Sequence, residues 1–301
     1  MNEHERDLFD LGLQADLAML TRSPIDRRKL LKMGAIGIGM LLTGCATSTP
    51  ATSSAPTAAA SNAPTIAAAP SAPTAASAAT TSTGSSTSCV TEIPQETAGP
   101  YPADGSRASN QSLNALALSG IVRSDIRASL GTGNVAQGIP STIVLNLVNS
   151  QDNCTPLANY AVYIWHCDRE GNYSLYSSSV TNEDYLRGVQ AAGSDGKVTF
   201  TSIFPACYAG RWPHVHFEIY PSLEKATSSA NAVHTSQLAL PEDVCNTAYT
   251  TNGYAQSVKN LAQLSLATDN VFSDGVSQQM ATVTGDTTKG YTIQLTVGVN
   301  V

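Results

Sequence analysis

The sequence lacks three features that would each assign it to a class of proteins. Its 16 Lys and Arg residues are outnumbered by 23 Asp and Glu residues, for a net charge of −7, and no basic stripe follows Cys89. Nucleic acid is therefore excluded as a partner. No period of about 20 to 50 residues repeats, which argues against a solenoid or a propeller. No apolar run approaches the roughly 20 residues that a membrane-spanning helix needs.

Residues 1–45 have the composition of an export signal. A basic cluster at 27–32 is followed by the apolar run 33–42 and then by small residues, and this order is typical of signal peptides. Arg27 and Arg28 resemble the twin-arginine address. Asp26 and Leu30 depart from that motif, so the general secretory route stays open.

The signal ends in Leu42-Thr43-Gly44-Cys45, which resembles a bacterial lipobox. In a lipobox the cysteine becomes the acylated first residue of the mature chain, so Cys45 is the predicted lipidation site. The alternative is a chance cysteine after a leader. We expect an exported lipoprotein of the bacterial cell envelope, anchored to a membrane through its lipid.

Residues 46–88 consist almost wholly of Ala, Ser, Thr and Pro and carry no charge. Such a segment cannot bury enough apolar surface to offset the entropy cost of ordering it. We predict a disordered linker that lets the following domain, residues 89–301, stand away from the membrane.

The cysteines after the linker are an odd set in a compartment that permits disulfides. At least one of them must therefore stay unpaired. We expect a disulfide, with its connectivity left open, among Cys89, Cys154, Cys207 and Cys245. For Cys167 and Cys207 the alternative is a small buried apolar residue.

The C-terminal domain is predicted to be mainly β, a β-sandwich with a few short helices. Short alternating or β-branched runs recur between Gly, Pro, Asn and Asp residues. The spacing also predicts one helix at 254–266 and another short one after Pro221. The predicted strands are 116–122, 142–148, 161–166, 197–203, 214–220 and 291–299.

The pair His214 and His216 is the first candidate for a metal site. Side chains alternate faces along a strand, so both imidazoles should project to the same side of the predicted strand 214–220. Taken alone, an H-x-H pair is more often a half-buried or surface pair than a ligand pair. The rival histidines are His4, which lies in the leader, and His166, which has no second histidine near it in the sequence.

Two tyrosines are candidates to complete this site. Tyr208 stands in a loop rich in Gly and Pro, residues 204–213, which joins the predicted strand 197–203 to the one that carries the histidines. Tyr173 ends the turn that follows the predicted strand 161–166. Either tyrosine considered alone is more simply a packing aromatic.

These residues together resemble the intradiol ring-cleavage dioxygenases, the family of the catechol and protocatechuate dioxygenases. In that family a Trp is followed eight residues later by a Tyr ligand, as Trp165 and Tyr173 are here. A second Tyr in a Pro/Gly-rich loop and the pattern R-x-x-H-x-H match Tyr208 and residues 211–216. The resemblance spans roughly residue 89 to the C-terminus and implies four metal ligands, Tyr173, Tyr208, His214 and His216.

The family's T-x-G-P-Y element has a counterpart at 97–101, which implies that Tyr101 lines the substrate pocket. A Gly-Pro turn with a packing aromatic is the alternative. The loop of five residues between Tyr208 and His214 is shorter than in the catechol and protocatechuate enzymes, and Ala206 replaces a Gly that is frequent there. The substrate pocket is thus expected to be more open or differently walled.

The ligand set and the resemblance together predict ferric iron as the cofactor. Phenolate is a hard, anionic donor that favours Fe(III), whereas zinc sites prefer Cys, His and carboxylate ligands. The resemblance implies that a catechol-type diol reacts with O2 and opens between its two oxygen-bearing carbons. Tyr208 would leave the metal and accept a proton, and Arg211 would stabilise anionic species unless it forms only a surface salt bridge.

Two other functions compete with the ring-cleaving dioxygenase. One is a non-catalytic, lipid-anchored β-sandwich that binds a ligand or partner. The other is a zinc hydrolase, for which Glu218 is the nearby carboxylate, although a solvated strand residue is its simpler interpretation. The sequence leaves open which aromatic substrate is used and whether the protein forms a homo-oligomer.

Overall fold

The structure is a computed structural model that describes residues 89–109 and 112–301. The predicted signal, Cys45 and the predicted linker lie outside the described residues. The strands are β1 (Pro140–Asn149), β2 (Thr155–Pro156), β3 (Ala161–Trp165), β4 (Arg187–Ala191), β5 (Lys197–Ile203), β6 (His214–Tyr220), β7 (His234–Ala239), β8 (Thr282–Asp286) and β9 (Gly290–Val299). The helices are α1 (Glu242–Ala248) and α2 (Ala255–Leu261), with 3-10 turns at Ala115–Ala117, Ser229–Asn231 and Leu266–Thr268.

Two sheets form the predicted sandwich, which confirms the fold class. One sheet has the order β2-β1-β9-β8, with β5 also paired to β1, and its β1 and β9 run parallel. The other has the order β4-β3-β6-β7, and all of its neighbouring strands are antiparallel. Among the described helices, none combines the length and the apolar character needed to cross a membrane.

Strand β6 is buried along its whole length, on both faces of its sheet. Val215, Phe217 and Ile219 point between the sheets, where they pack with Ile143 and Phe200 of the facing sheet. The alternate residues point to the opposite face, which is covered by loops rather than by a third sheet. The strand therefore fixes the core with one face and offers the other for polar side chains.

Loop residues and aromatic side chains cover that second face. A separate apolar cluster packs there, and it includes Tyr163 and Trp165 of β3, Tyr173, and Tyr220 of β6. Burial of these rings excludes water from the polar groups beneath them, which strengthens electrostatic interactions there.

Several predicted elements are confirmed and others are wrong. Strands β5 and β6 have the predicted bounds. Strands β3 and β9 differ from their predictions by one residue at one end, and β1 is longer than predicted by two residues at its start and one at its end. The predicted strand at 116–122 is absent because Asn114 caps a 3-10 turn by accepting a hydrogen bond from the Leu116 backbone, and Gly120 then turns the chain at φ 88°. The segment after Pro221 forms turns instead of the predicted helix.

The predicted helix at 254–266 is shorter than expected. It ends at Leu261, after which Gln263 and Leu264 donate backbone hydrogen bonds to carbonyls only three residues earlier. Ser265 and Thr268 then form a capping box for the next 3-10 turn. This local side-chain hydrogen bonding competes with continuation of the helix.

The predicted disulfide forms between Cys89 and Cys154, which are 65 residues apart in the sequence. It ties the first described residue to the connection between β1 and β2. Cys167, Cys207 and Cys245 are free and buried, which agrees with the prediction that at least one cysteine stays unpaired.

Removing this disulfide is expected to lower the free energy of unfolding by about 4 kcal/mol, because the bond closes a long loop in the unfolded chain. Urea denaturation of the protein and of Cys89→Ser, each with and without reductant, measures the change. Reductant should weaken the wild type and leave the variant unaffected. Equal sensitivity of the two proteins to reductant would contradict the assignment.

Candidate metal centre

The register of β6 places its histidines beside specific neighbours. His214 and His216 lie on the loop-covered face, as alternation predicted, and are 2% and 3% exposed. Across the ladders, His216 stands opposite Trp165 of β3 on one side and Gln237 of β7 on the other. The strand backbone is hydrogen-bonded on both sides, so the two imidazoles have a rigid base.

Tyr208 reaches the histidines from the loop between β5 and β6. The end of that loop is fixed because the Trp212 backbone N–H donates to Asp269 at 2.7 Å and its indole donates to the Leu240 carbonyl at 2.9 Å. A Cβ on Gly171 would lie 3.2 Å from the Tyr208 Cβ. The absence of a side chain at Gly171, where φ is 91°, therefore lets the two ligand-bearing loops approach each other.

Tyr173 comes from the turn that follows β3. Asp168 shapes this turn, since its carboxylate accepts the backbone N–H groups of Glu170 at 3.0 Å and Asn172 at 2.8 Å. The Tyr185 hydroxyl donates to the same carboxylate at 3.0 Å. Tyr173 is buried, at 2% exposure, and its ring is directed back toward β6.

The four predicted ligands meet at one point. The hydroxyl oxygens of Tyr173 and Tyr208 each lie 3.4 Å from Nε2 of His214. Nε2 of His216 lies 3.0 Å from the same atom. Two oxygens and two nitrogens from three separate segments of the chain therefore converge around His214.

The protonation of His214 leaves a single nitrogen lone pair facing its three neighbours in the cluster. His214 Nδ1 lies 2.5 Å from the Trp212 carbonyl, so it must carry the proton and Nε2 has a lone pair. Burial lowers the pKa of His214 to about 3, with the Arg211 charge acting in the same direction. A single lone pair then faces the two phenol groups and the other imidazole, more groups than it can accept hydrogen bonds from.

The separations suit a metal ion. Four donors at bonds of about 2.0 to 2.2 Å from a cation stand roughly 3.3 Å apart in a tetrahedral arrangement, close to the 3.0 and 3.4 Å measured here. Among the described residues, no group of three His, Cys, Asp or Glu side chains could hold a metal. The two tyrosine oxygens are the donors that lie beside the histidine pair at this place.

The ring of His216 is oriented by stacking. It lies parallel to the Trp165 indole, with centroids 4.9 Å apart and 6° between the planes. Its Nδ1 is buried and has no hydrogen-bond partner among the described residues. Ligand histidines usually donate this second N–H to a fixed acceptor, so here the indole takes over the orienting role.

Comparison with known proteins agrees with this fold. An intradiol ring-cleavage dioxygenase from Tetranychus urticae superposes with a TM-score of 0.53 and 23% identity, covering 70% of this chain and 95% of that one. The dioxygenase Tetur07g02040 gives a TM-score of 0.54 with the same identity and coverage. The described part of the chain has the intradiol ring-cleavage dioxygenase fold.

Similarity in sequence is confined to a short stretch. The chlorocatechol 1,2-dioxygenase of Rhodococcus opacus is 35% identical over 54 residues, which is 18% of this chain and 21% of that protein. No protein-family model matches the chain. The resemblance predicted from the residues is thus confirmed at the level of the intradiol fold.

Within the intradiol fold, Arg211 is buried rather than at the surface. Its guanidinium donates to Asp269 at 3.0 Å and to the Gln237 side chain at 2.7 Å. Burial acts to lower the pKa of Arg211, but the charges of Tyr208 and Asp269 raise it on balance. Arg211 therefore forms a salt bridge, but a buried one, so the alternative of a surface salt bridge is wrong.

Tyr101 lies against Tyr173, one of the predicted ligands. Its ring stacks on Tyr173 with centroids 4.7 Å apart and meets the edge of Tyr176 at 5.2 Å. The backbone N–H of Ala103 donates to the Tyr176 hydroxyl at 2.8 Å. The segment around Tyr101 therefore forms a wall over Tyr173.

Two residues considered as site candidates in the sequence, His166 and Glu218, lie outside the cluster. His166 is bound elsewhere, with its nitrogens 2.8 Å from the Cys167 carbonyl and 2.7 Å from the Ser202 hydroxyl. Glu218 is not solvated but 1% exposed, and its carboxylate accepts a hydrogen bond from Tyr220 at 2.5 Å. Gln237 and Asp269 were missed, because only strand pairing and loop packing bring them to Arg211.

Burial lowers the pKa of His166 to about 4, with the Cys167 carbonyl partly opposing the shift. The unfolded chain therefore takes up this proton first as the pH falls, so the stabilisation is complete above the ordinary pKa of about 6.5 and is lost toward pH 4. Between pH 7 and pH 5 we expect His166 alone to cost the metal-free protein about 2 kcal/mol.

Urea unfolding of metal-free protein and of His166→Gln at the two pH values tests this expectation. Glutamine keeps a polar group beside Ser202 but does not titrate. The variant should lose less stability than the wild type on acidification. The same loss in both proteins would show that His166 does not titrate as expected.

Proposed function

We propose that this chain is a non-haem Fe(III) intradiol dioxygenase that opens a catechol-type diol with O2. The observation that carries the proposal is the convergence of two tyrosine oxygens and one imidazole nitrogen within 3.0 to 3.4 Å of His214 Nε2. The intradiol fold supports it. So does the short stretch of similarity to a chlorocatechol 1,2-dioxygenase.

The donor set favours ferric iron. Two phenolates are hard anionic ligands, which suit Fe(III) better than Fe(II) or zinc. Burial raises the pKa of Tyr173 well above its ordinary value, and Tyr208 adds to the shift. Strong positive charge at the centre of the cluster is therefore needed to hold Tyr173 as a phenolate at neutral pH.

The two tyrosines differ in their freedom to move. Tyr173 is 2% exposed and is held by its backbone N–H, which donates to Ser177 at 3.0 Å, and by stacking on Tyr101. Tyr208 is only partly buried and precedes the exposed residues Ala209 and Gly210. Tyr208 is thus suited to leave the cluster and accept a proton from the substrate, while Tyr173 stays fixed.

A bound ferric ion would supply Lewis acidity, which makes a bound diolate reactive toward O2. Arg211 would stabilise negative charge that develops on the substrate. Asp269 and Gln237 fix its guanidinium in advance, and Nη1 donates no hydrogen bond among the described residues. The ring then opens between its oxygen-bearing carbons, and both atoms of O2 enter the diacid product.

Iron analysis with a visible absorption spectrum tests the metal centre. We expect protein reconstituted with ferric iron to bind it and to show a tyrosinate band that shifts on addition of catechol. Tyr173→Phe should weaken iron binding by at least about 10- to 100-fold, the loss typical of removing a hydrogen-bond partner of a ligand, since it removes a ligand itself. His166→Gln is the matched control, because it changes a buried histidine outside the cluster, and it should keep both iron and band.

Oxygen consumption with catechol then tests the reaction itself. Loss of consumption in Tyr208→Phe with iron retained would support the proton-accepting role. A colourless, iron-free protein after reconstitution would favour the non-catalytic binding module, and zinc in its place would favour the hydrolase.

We also propose that residues 1–45 direct export, that Cys45 is lipidated, and that residues 46–88 link the lipid to the domain at 89–301. The disulfide between Cys89 and Cys154 supports export, because such bonds persist in oxidising compartments outside the cytosol.

Cell fractionation of Cys45→Ala tests the anchor. We expect the wild type in the membrane fraction and the variant in the soluble fraction, because the variant has no site for the lipid. Thr47→Ala, two residues further on, serves as the control and should stay with the membrane. Retention of Cys45→Ala in the membrane fraction would contradict lipidation.

A further inference from the structure

Arg187, the first residue of β4, is a buried cation with no anionic partner among the residues that the structure describes. It is 1% exposed, and its guanidinium forms no salt bridge among the described residues, in contrast to Arg211 with Asp269. Burial of an unpaired charge is costly unless hydrogen bonds replace its hydration. The contacts of Arg187 must therefore be unusually complete.

All five N–H donors of this guanidinium are used. Nη1 donates to the Pro102 carbonyl at 2.9 Å and to the Tyr163 hydroxyl at 3.1 Å. Nη2 donates to the Tyr101 carbonyl at 2.9 Å and to the Ser174 carbonyl at 3.0 Å. Nε donates to the Ser174 hydroxyl at 3.0 Å, so one side chain binds two distant segments.

Those two segments make up one side of the candidate centre. Tyr101 and Pro102 belong to the wall over the site, and Ser174 directly follows the ligand Tyr173. The guanidinium also lies 5.5 Å above the ring of Tyr176, whose edge meets Tyr101. Arg187 thus stands behind the stacked pair of Tyr101 and Tyr173 and touches the backbone of both segments.

We infer that Arg187 is a positioning residue, which holds the Tyr101 segment against the Tyr173 loop and so keeps one wall of the diol site in place. The substrate part of this inference rests on the proposed function. The positioning part does not, since it concerns contacts within the chain. This role requires the planar guanidinium of arginine, because the ammonium of a lysine has three N–H donors and cannot span the same carbonyls.

Hydrogen–deuterium exchange on the full metal-free chain measures the positioning directly. In Arg187→Lys and Arg187→Met we expect amides of residues 97–109 to exchange at least about tenfold faster, because local opening becomes easier. Amides of β6 should stay protected as in the wild type. If exchange is equally fast in Arg187→Lys and Arg187→Met, the positioning role belongs to the planar guanidinium. Exchange at the wild-type rate in Arg187→Lys would overturn the inference.

Arg123→Lys is the chemically matched control. Arg123 also donates to carbonyls, those of Ala128, Asp184 and Arg187, so it supports the backbone at both ends of 184–187 but contacts neither 97–109 nor Ser174. It should leave exchange in 97–109 unchanged. Faster exchange there in both lysine variants would show a general loss of structure and overturn the inference.

Catechol binding to the iron-loaded protein then tests the link to substrate. Arg187→Lys should raise the Kd for catechol by about tenfold with bound iron per chain unchanged, while Arg123→Lys keeps the wild-type Kd. An unchanged Kd in Arg187→Lys would overturn the role in the diol site. If the wild type binds no catechol, the proposed function fails, but the exchange measurement still decides the positioning role.

Ser174→Ala provides a second variant if those at Arg187 do not fold. It removes the hydroxyl that accepts from Nε but keeps the carbonyl that accepts from Nη2. Hydrogen exchange of the amides at 97–109 should then be faster than in the wild type, but by less than in the variants of Arg187. Wild-type protection in Ser174→Ala, with no folded arginine variant, would overturn the inference.

Discussion

Side-chain alternation along β6 is the constraint on which the rest of the structure depends. Val215, Phe217 and Ile219 anchor the strand in the core between the sheets, and this burial fixes which face every other residue must take. His214 and His216 are therefore directed away from the core without any loop having to position them. A slip of one residue in the register would bury the imidazoles in the core and place phenylalanine under the tyrosines.

Register also assigns the neighbours of each histidine. His216 lies between Trp165 and Gln237 because the ladders of β6 with β3 and β7 put them there. The indole orients the imidazole by stacking, and Gln237 receives a hydrogen bond from Arg211. The strands thus contribute directly to the site, while the connections 166–186 and 204–213 bring in the tyrosines and Arg211.

Features that depend on nearby residues could be predicted from the sequence, and features that depend on strand pairing could not. The strand at 214–220 and its shared histidine face follow from a period of two, and the tyrosine-bearing loop follows from its Gly and Pro residues. Strand β7, His234–Ala239, has no such alternation, because it is buried at nearly every position. The role of Arg187 was not predicted, since its partners lie 13 to 86 residues away in the chain. The strand predicted at 116–122 does not form, because a local cap overrides the apolar composition of that segment.

The bond between Cys89 and Cys154 has a mechanical consequence. A pull on the chain before Cys89 reaches the connection after β1 through a covalent link, and β1 lies between β5 and β9 in its sheet. Without the bond, the same force would act on residues 90–93, which are held only by non-covalent contacts such as the hydrogen bond from Ile93 to Gly298. Load applied at the start of the domain is thereby borne by the sheet opposite the one that carries the histidines, so the geometry around His214 is shielded from it.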